Sequence, residues 1–197
     1  LAQTTAVVGG TVHTVGPSGT IENATILITD GSIIDVGAGI DVPPGATIID
    51  AAGKIVTPGL FTPTGTLGLV EVASSAGPND AVQRGDAFTA SFDVADAFNP
   101  RSTLIAVNRV EGVTRALIAP FGSGPDPENG TSHVISGLAS VVNLGGSDDY
   151  LDARGAAMVV NLGESGASLA GGTRSAALMT SRKRGLPLRS SDATSTA

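Results

Sequence analysis

The sequence predicts an α/β chain with a β-rich N-terminal part. A small β-sandwich piece over residues 1–57 is followed over 58–185 by part of a (β/α)8 TIM-type barrel, with a disordered tail over 186–197. Three observations predict it. Short β-branched runs separated by Gly, Pro and Asp turns recur as far as Thr57, the spacing of a small sheet or half-sandwich. From Ile55 onward apolar strand-like runs alternate with helix-like ones, which reads as βα units on a parallel sheet. That second part offers about four strands and two helices, short of the eight of each that a closed barrel needs.

The elements follow in order. "TAVVGGTVHTV" is an apolar strand broken by Gly9-Gly10, and "ATILITDGSIIDVG" places two β-branched runs around Asp30-Gly31. Asp-Gly between such runs predicts a hairpin, because Gly accepts the positive φ of a type I′ turn. "DVPPGATIIDAAGKIVTPG" gives a Pro-Gly turn, a strand at 47–50, a tight turn through Gly53 and a strand at 55–57. Residues 74–99 read as a long polar loop with short helical turns, in which Phe88, Phe92 and Phe98 form a local apolar anchor or line a groove. "NPRSTLIAVNRVEG" predicts a helix capped by Asn99, with Pro100 in its first turn and Gly112 as its stop. "VTRALIAP", "SHVISGLASVVNLGG" and "AAMVVNLG" follow as strands. "GASLAGGTRSAALMTSRKRG" predicts one helix whose basic last turn complements its dipole. The Ser/Thr-rich "LPLRSSDATSTA" then suggests a longer ancestral chain cut short.

Composition narrows the function classes. Aromatic residues are only 3%, so the core is built from Val, Ile, Leu and Ala. A net charge of −7 argues against nucleic acid, which needs a basic face. Without Cys there is no disulfide, zinc-thiolate site or thiol catalysis. No apolar run is long enough to predict a membrane span. The small residues of "LAQTTA" suit the start of a mature periplasmic or secreted protein; an arbitrary boundary, with a cytoplasmic protein, is the alternative.

"I-x-D-G-x-I…V…G…IDAAGKIVTPGL", spread over residues 6–72, resembles the N-terminus of the metal-dependent amidohydrolase superfamily, the imidazolonepropionase and dihydroorotase-like group. The likeness extends more loosely through "NLGESGASLAGGTRSAAL". The resemblance implies a β-sandwich formed by both chain termini and a (β/α)8 barrel between them. It also implies hydrolysis of non-peptide C–N bonds, in cyclic amides, ureas or acyl-amino compounds, by water activated on zinc or another divalent metal. The first barrel strand of such proteins usually ends in PG-x-I-D-x-H-x-H, whose two His bind metal. Pro58, Gly59, Leu60 and Phe61 match that frame, but Thr62 stands where Asp is usual, and Thr64 and Thr66 stand at the two His positions. Hydroxyls are poor ligands for such metals. The expectation is therefore a degenerate active site: no cofactor held by this chain, and a fragment inactive alone. Its partners are expected to be a small amide-type ligand, or a second copy or partner chain that covers exposed strand edges.

Other chemistry is weaker. His13 reads as an ordinary strand residue, and His133 follows a Gly-rich loop from which it can reach a cleft. The resemblance also implies a metal-bridging carboxylated Lys from a later strand; Lys54, in a turn, and Lys183, near a helix end, do not stand at such a position. "GESGA", residues 163–167, nearly matches the nucleophile elbow G-x-S-x-G between a strand and a helix, which makes Ser165 a candidate nucleophile with His133 as its base. The structural alternative is that Ser165 or a neighbour caps the helix. The same helix start offers an anion site, Asp148, Asp149 and Asp152 a solvated acidic loop or a calcium site, and "SRKRG" a helix end rather than a nucleic-acid patch. Three functions follow: an amidohydrolase-related chain without a complete metal site, a non-catalytic binding scaffold or assembly subunit, or a serine hydrolase using Ser165.

Overall fold

The computed structural model describes residues 3–72, 79–83, 89–122, 132–146 and 148–183. The expected tail at 186–197, Phe88 and the end of the basic cluster lie outside them, as does the side chain of Lys183. The described chain divides into two compact units that meet in sequence at Gly59 and Leu60.

The first unit is a single five-stranded sheet. Strands β1 (Thr4–His13), β2 (Thr20–Thr29), β3 (Ser32–Ala38) and β4 (Thr47–Asp50) lie in the order β3-β2-β1-β4, and β5 (Ile55–Val56) pairs with β1 beyond β4. The Asp30-Gly31 hairpin is present: Thr29 pairs with Ser32, and the φ angles of 49° and 79° have the sign a type I′ turn requires. At Gly9-Gly10 the register with β2 slips, because Val8 faces Thr25 while Gly10 faces Ala24. Gly10 also lacks room for a side chain, since Val56 and Ala51 close over it. Val12, Ala24 and Ile26 form the unit's core. Neighbouring residues of a strand point to opposite faces, and Ile33, Ile34, Ile48 and Ile49 are all exposed. Both faces of this sheet therefore carry uncovered apolar surface.

The second unit is a four-stranded sheet with helices. Its strands β6 (Leu60–Gly65), β7 (Val113–Ile118), β8 (Ile135–Asn143) and β9 (Leu151–Val160) are neighbours in that order. Only β6 and β7 are parallel; β8 is antiparallel to both β7 and β9. The expected run of parallel βα units is thus realised in the first crossover alone. Residues 144–150 are all that join β8 to β9, and a link that short permits only an antiparallel return.

The β6–β7 crossover carries two 3-10 turns, Thr89–Ser91 and Val94–Ala97, and helix α1 (Thr103–Val110). Ser102, not Asn99, caps α1, its hydroxyl accepting from Leu104 N–H at 3.3 Å. Asn99 instead accepts from Arg101 N–H, in a turn that precedes the helix. Gly112, at φ 87°, follows the helix end as expected. The single helix expected at 166–185 is two, α2 (Glu164–Leu169) and α3 (Arg174–Lys183), broken at Gly171-Gly172, both with positive φ. Ile118, Val142, Leu144, Val94 and Phe98 centre the core, and the Phe98 ring lies 4.9 Å from that of Tyr150. Phe98 thus fulfils the role of apolar anchor. No helix among the described residues is long and apolar enough to cross a membrane.

Candidate functional site at one end of the second sheet

The strand directions of the second unit converge on one end of its sheet. Because β6 is parallel to β7, and two antiparallel steps make β9 run the same way, β6, β7 and β9 all finish at that end while β8 begins there. Chain ends and connections at the carboxyl ends of strands are where α/β folds place ligands. Here they bring together Thr64 to Thr66, Phe121-Gly122, His133, and Asn161 with the start of α2.

Two adjoining hollows occupy this end and share Phe121 and Gly122 as a common wall. One is a small recess bordered by Gln83, His133 and Ser136. The other is an open cleft of about 330 Å³ lined by Asn161, Ser165, Ser168 and Leu169. Phe121 follows three buried residues, Ile118, Ala119 and Pro120, yet is itself 50% exposed. Its N–H is fixed on the Ala81 carbonyl at 2.8 Å. A Cβ at Gly122 would press on the Leu169 side chain and on the Asn161 amide, so a larger residue there requires those side chains to shift.

Asn161 ties the two hollows together. Its backbone N–H donates to Val134 O at 2.7 Å, and its side-chain Nδ2 donates to Ser136 Oγ at 2.7 Å and to Val134 O at 3.3 Å. A carbonyl can only accept, so this last bond fixes which end of the amide is nitrogen. Sequence reasoning missed Asn161, Ser136, Ser168 and Phe121. The only signal was position, each lying at or just beyond a strand or helix end.

His133 and Ser165 reach adjoining hollows of one site. No hydrogen bond joins them, and none among the described residues reaches Ser165 Oγ. Ser165 sits within the first turn of α2 rather than on a strained elbow, and is not among the residues of positive φ. Nor does it cap the helix: Gly163 holds that position, without a side-chain bond. His13 lies in the first unit with Nδ1 2.8 Å from Thr20 Oγ1. Lys54 reaches back to Asp50 O at 3.3 Å. Asp152 is engaged by Arg115 at 2.6 Å and by Asn143 at 3.1 Å. These bonds, Arg115's first, hold its carboxyl below the usual carboxylate range.

Thr62 and Thr64 lie on β6, half-buried and exposed respectively, and Thr66 follows the strand end with its carbonyl accepting from Leu69 and Val70. Among the described residues no three His, Cys, Asp or Glu gather closely enough to hold a metal ion. Hydroxyls and a single nearby imidazole do not fit the divalent metal that the family resemblance implies.

No protein-family model matches the chain. A 54-residue stretch is 46% identical to the dihydroorotase of Citrifermentans bemidjiense and 48% identical to that of Geobacter sulfurreducens. That stretch covers 27% of this chain and 12% of either relative. Among solved structures, an amidohydrolase from Thermotoga maritima MSB8 superimposes with a TM-score of 0.72 over 90% of this chain, at 23% identity. This chain spans 45% of that one, and at such identity the likeness speaks for the fold.

Proposed function

We propose that this chain, an amidohydrolase-superfamily member corresponding to the N-terminal portion of such proteins, is part of a scaffold for hydrolysis of non-peptide C–N bonds. Within that scaffold the residues present here shape the ligand end without holding its metal. One observation carries the reading. The strand end where the resemblance places two metal-binding imidazoles presents the hydroxyls of Thr64 and Thr66 instead. With no nearby acidic or imidazole cluster among the described residues, this portion contributes walls and hydrogen bonds, and any metal activation of water depends on residues beyond it. A partial chain also accords with the shares of its relatives that it spans.

Elemental mass spectrometry of the purified, folded chain tests this. The expected result is less than about a tenth of an equivalent of zinc, manganese or iron per chain, a margin set by the tight binding typical of protein metal sites. Near-stoichiometric metal sinks the reading.

A second reading, a subunit that pairs with another chain, is supported by β6. Among the described residues that strand pairs on one side only, with β7, and Leu60 and Phe61 are about half exposed. Unpaired strand edges invite addition of another strand. A light-scattering mass equal to the monomer at micromolar concentration would remove it.

A further inference from the structure

We infer that one face of the first unit's sheet is the contact surface between two copies of this chain. The inference goes beyond the edge pairing proposed for β6, on a different surface, and draws nothing from the strand-end hollows. Cross-strand partners share a face while neighbours along a strand alternate, so the registers sort the side chains. Val36, Ile26, Val7 and Ile49 form one row across β3, β2, β1 and β4, and Ile33, Ile28, Thr5 and Thr47 form the next. Val12, Ala24 and Val56 pack with the first row. Every one of these residues is uncharged. The opposite face carries Asp35 beside Leu27 and Asp50 beside Val8.

That difference selects the face and its occupant. Each copy carries a net charge of −7, so two copies repel unless the surface they share is free of carboxylates. A two-fold axis sets one patch against itself, and on the charged face it would crowd Asp35 and Asp50 of both copies. On the uncharged face only apolar groups and hydroxyls meet. An axis along the strands lays β4 of one copy over β3 of the other, so Ile49 of the second copy falls over Val36, which shares its row. Val36 lines an apolar cleft of about 170 Å³ with Val12, Ile26, Ile33 and Val56, and His13 stands at its rim. Ile33 and Ile49 are 64% and 50% exposed, so symmetry sets a knob against a hole at both ends of the contact. Four strands about 4.8 Å apart, each roughly seven to ten residues long, present about 500 Å² per copy. The pair covers about 1,000 Å², the lower limit of a specific interface, which places the affinity in the micromolar range.

Sedimentation equilibrium of the 197-residue chain from about 5 to 300 µM tests this, and a monomer–dimer equilibrium within that range is expected. Ile49→Lys and Ile48→Lys form the decisive pair, because the two positions are exposed and adjacent but lie on opposite faces. Ile49→Lys is expected to weaken the dimer at least about tenfold, since it buries an unpaired charge, and Ile48→Lys to leave it unchanged. Concentration-dependent shifts of the ¹⁵N amide signals of Val7, Ile26, Val36 and Ile49 give a second readout that needs no variant. A monomer throughout, a dimer equally sensitive to both substitutions, or one that survives Ile49→Lys overturns the inference. A dimer lost in Phe61→Lys but kept in Ile49→Lys also overturns it and assigns the contact to β6. Metal analysis of the same sample reports separately on the proposed function, so the two can fail independently.

Discussion

Arg154 on β9 holds Asp93 at 2.9 Å with one guanidinium nitrogen while the other reaches Asp96 at 2.8 Å. Asp93 is the more enclosed partner, its side chain 11% exposed. It also accepts from Ala95 N–H at 2.9 Å, capping the turn Val94–Ala97, and from Ser140 Oγ at 3.2 Å. Ser140 in turn accepts from Gly155 N–H at 2.9 Å. One carboxylate thus fastens the crossover segment to the β8–β9 hairpin. Asp93→Ala is expected to lower stability by about 1–2 kcal/mol, the usual cost of losing a cap. Arg154→Ala is expected to cost less, because the cap and the Ser140 bond persist. Urea midpoints for the two variants check the order; a larger loss for Arg154→Ala contradicts it.

Gly166 gives a prediction opposite in sign to helix propensity. Replacing Gly by Ala inside a helix ordinarily gains about 1 kcal/mol. Here a Cβ would collide with the carbonyl of Asn161 and touch Ala177, and relieving such overpacking costs about 1–3 kcal/mol. Gly166→Ala is therefore expected to destabilise the chain and to shift the Asn161 amide signal. An unchanged or raised urea midpoint counts against the close approach.

The Arg115–Asp152 pair predicts an acid dependence. Arg115, then Asn143, lowers the Asp152 pKa in the folded chain from its ordinary 3.8. Between the lowered folded value and 3.8 the unfolded chain binds more protons than the folded one, so stability rises with pH across that window. The contribution is complete above it and is lost progressively as pH falls below 3.8. Asp152→Asn should be less stable than the parent at pH 6, with the gap closing toward pH 3. Thermal midpoints at the two pH values measure it, and a gap that widens in acid contradicts it.

The sequence made the first unit legible because local chemistry decides it. Asp30-Gly31 dictates its turn whatever surrounds it, and the β-branched runs on either side have no competing period. The second unit was less legible where the choice is tertiary. "VTRALIAP", "SHVISGLASVVNLGG" and "AAMVVNLG" read as strands, but apolar runs carry no information on direction, and connection length alone separates meander from crossover. Asn99 and Ser102 are both good caps three residues apart, and the buried Ser102, donating to Glu71 at 2.8 Å, takes the role. At the site, Ser165 and His133 were found through motif and residue type, whereas Asn161 and Phe121 acquire their meaning only from the convergence of three strand ends.

Ser165 itself supplies the last prediction. A serine nucleophile needs a base within hydrogen-bond reach and a position that presents its oxygen outside the helix ladder. Ser165 has neither: no hydrogen bond reaches its hydroxyl among the described residues, and it lies one residue inside α2. Its hydroxyl is therefore expected to keep an ordinary, unactivated reactivity. Incubation with a fluorophosphonate probe should leave the intact mass of the chain unchanged. Stoichiometric labelling that disappears in both Ser165→Ala and His133→Ala would revive the serine-hydrolase reading, because it would require His133 to swing across the shared Phe121–Gly122 wall. Labelling lost in neither variant would belong to another residue. With no labelling at all, the serine-hydrolase reading of Ser165 falls.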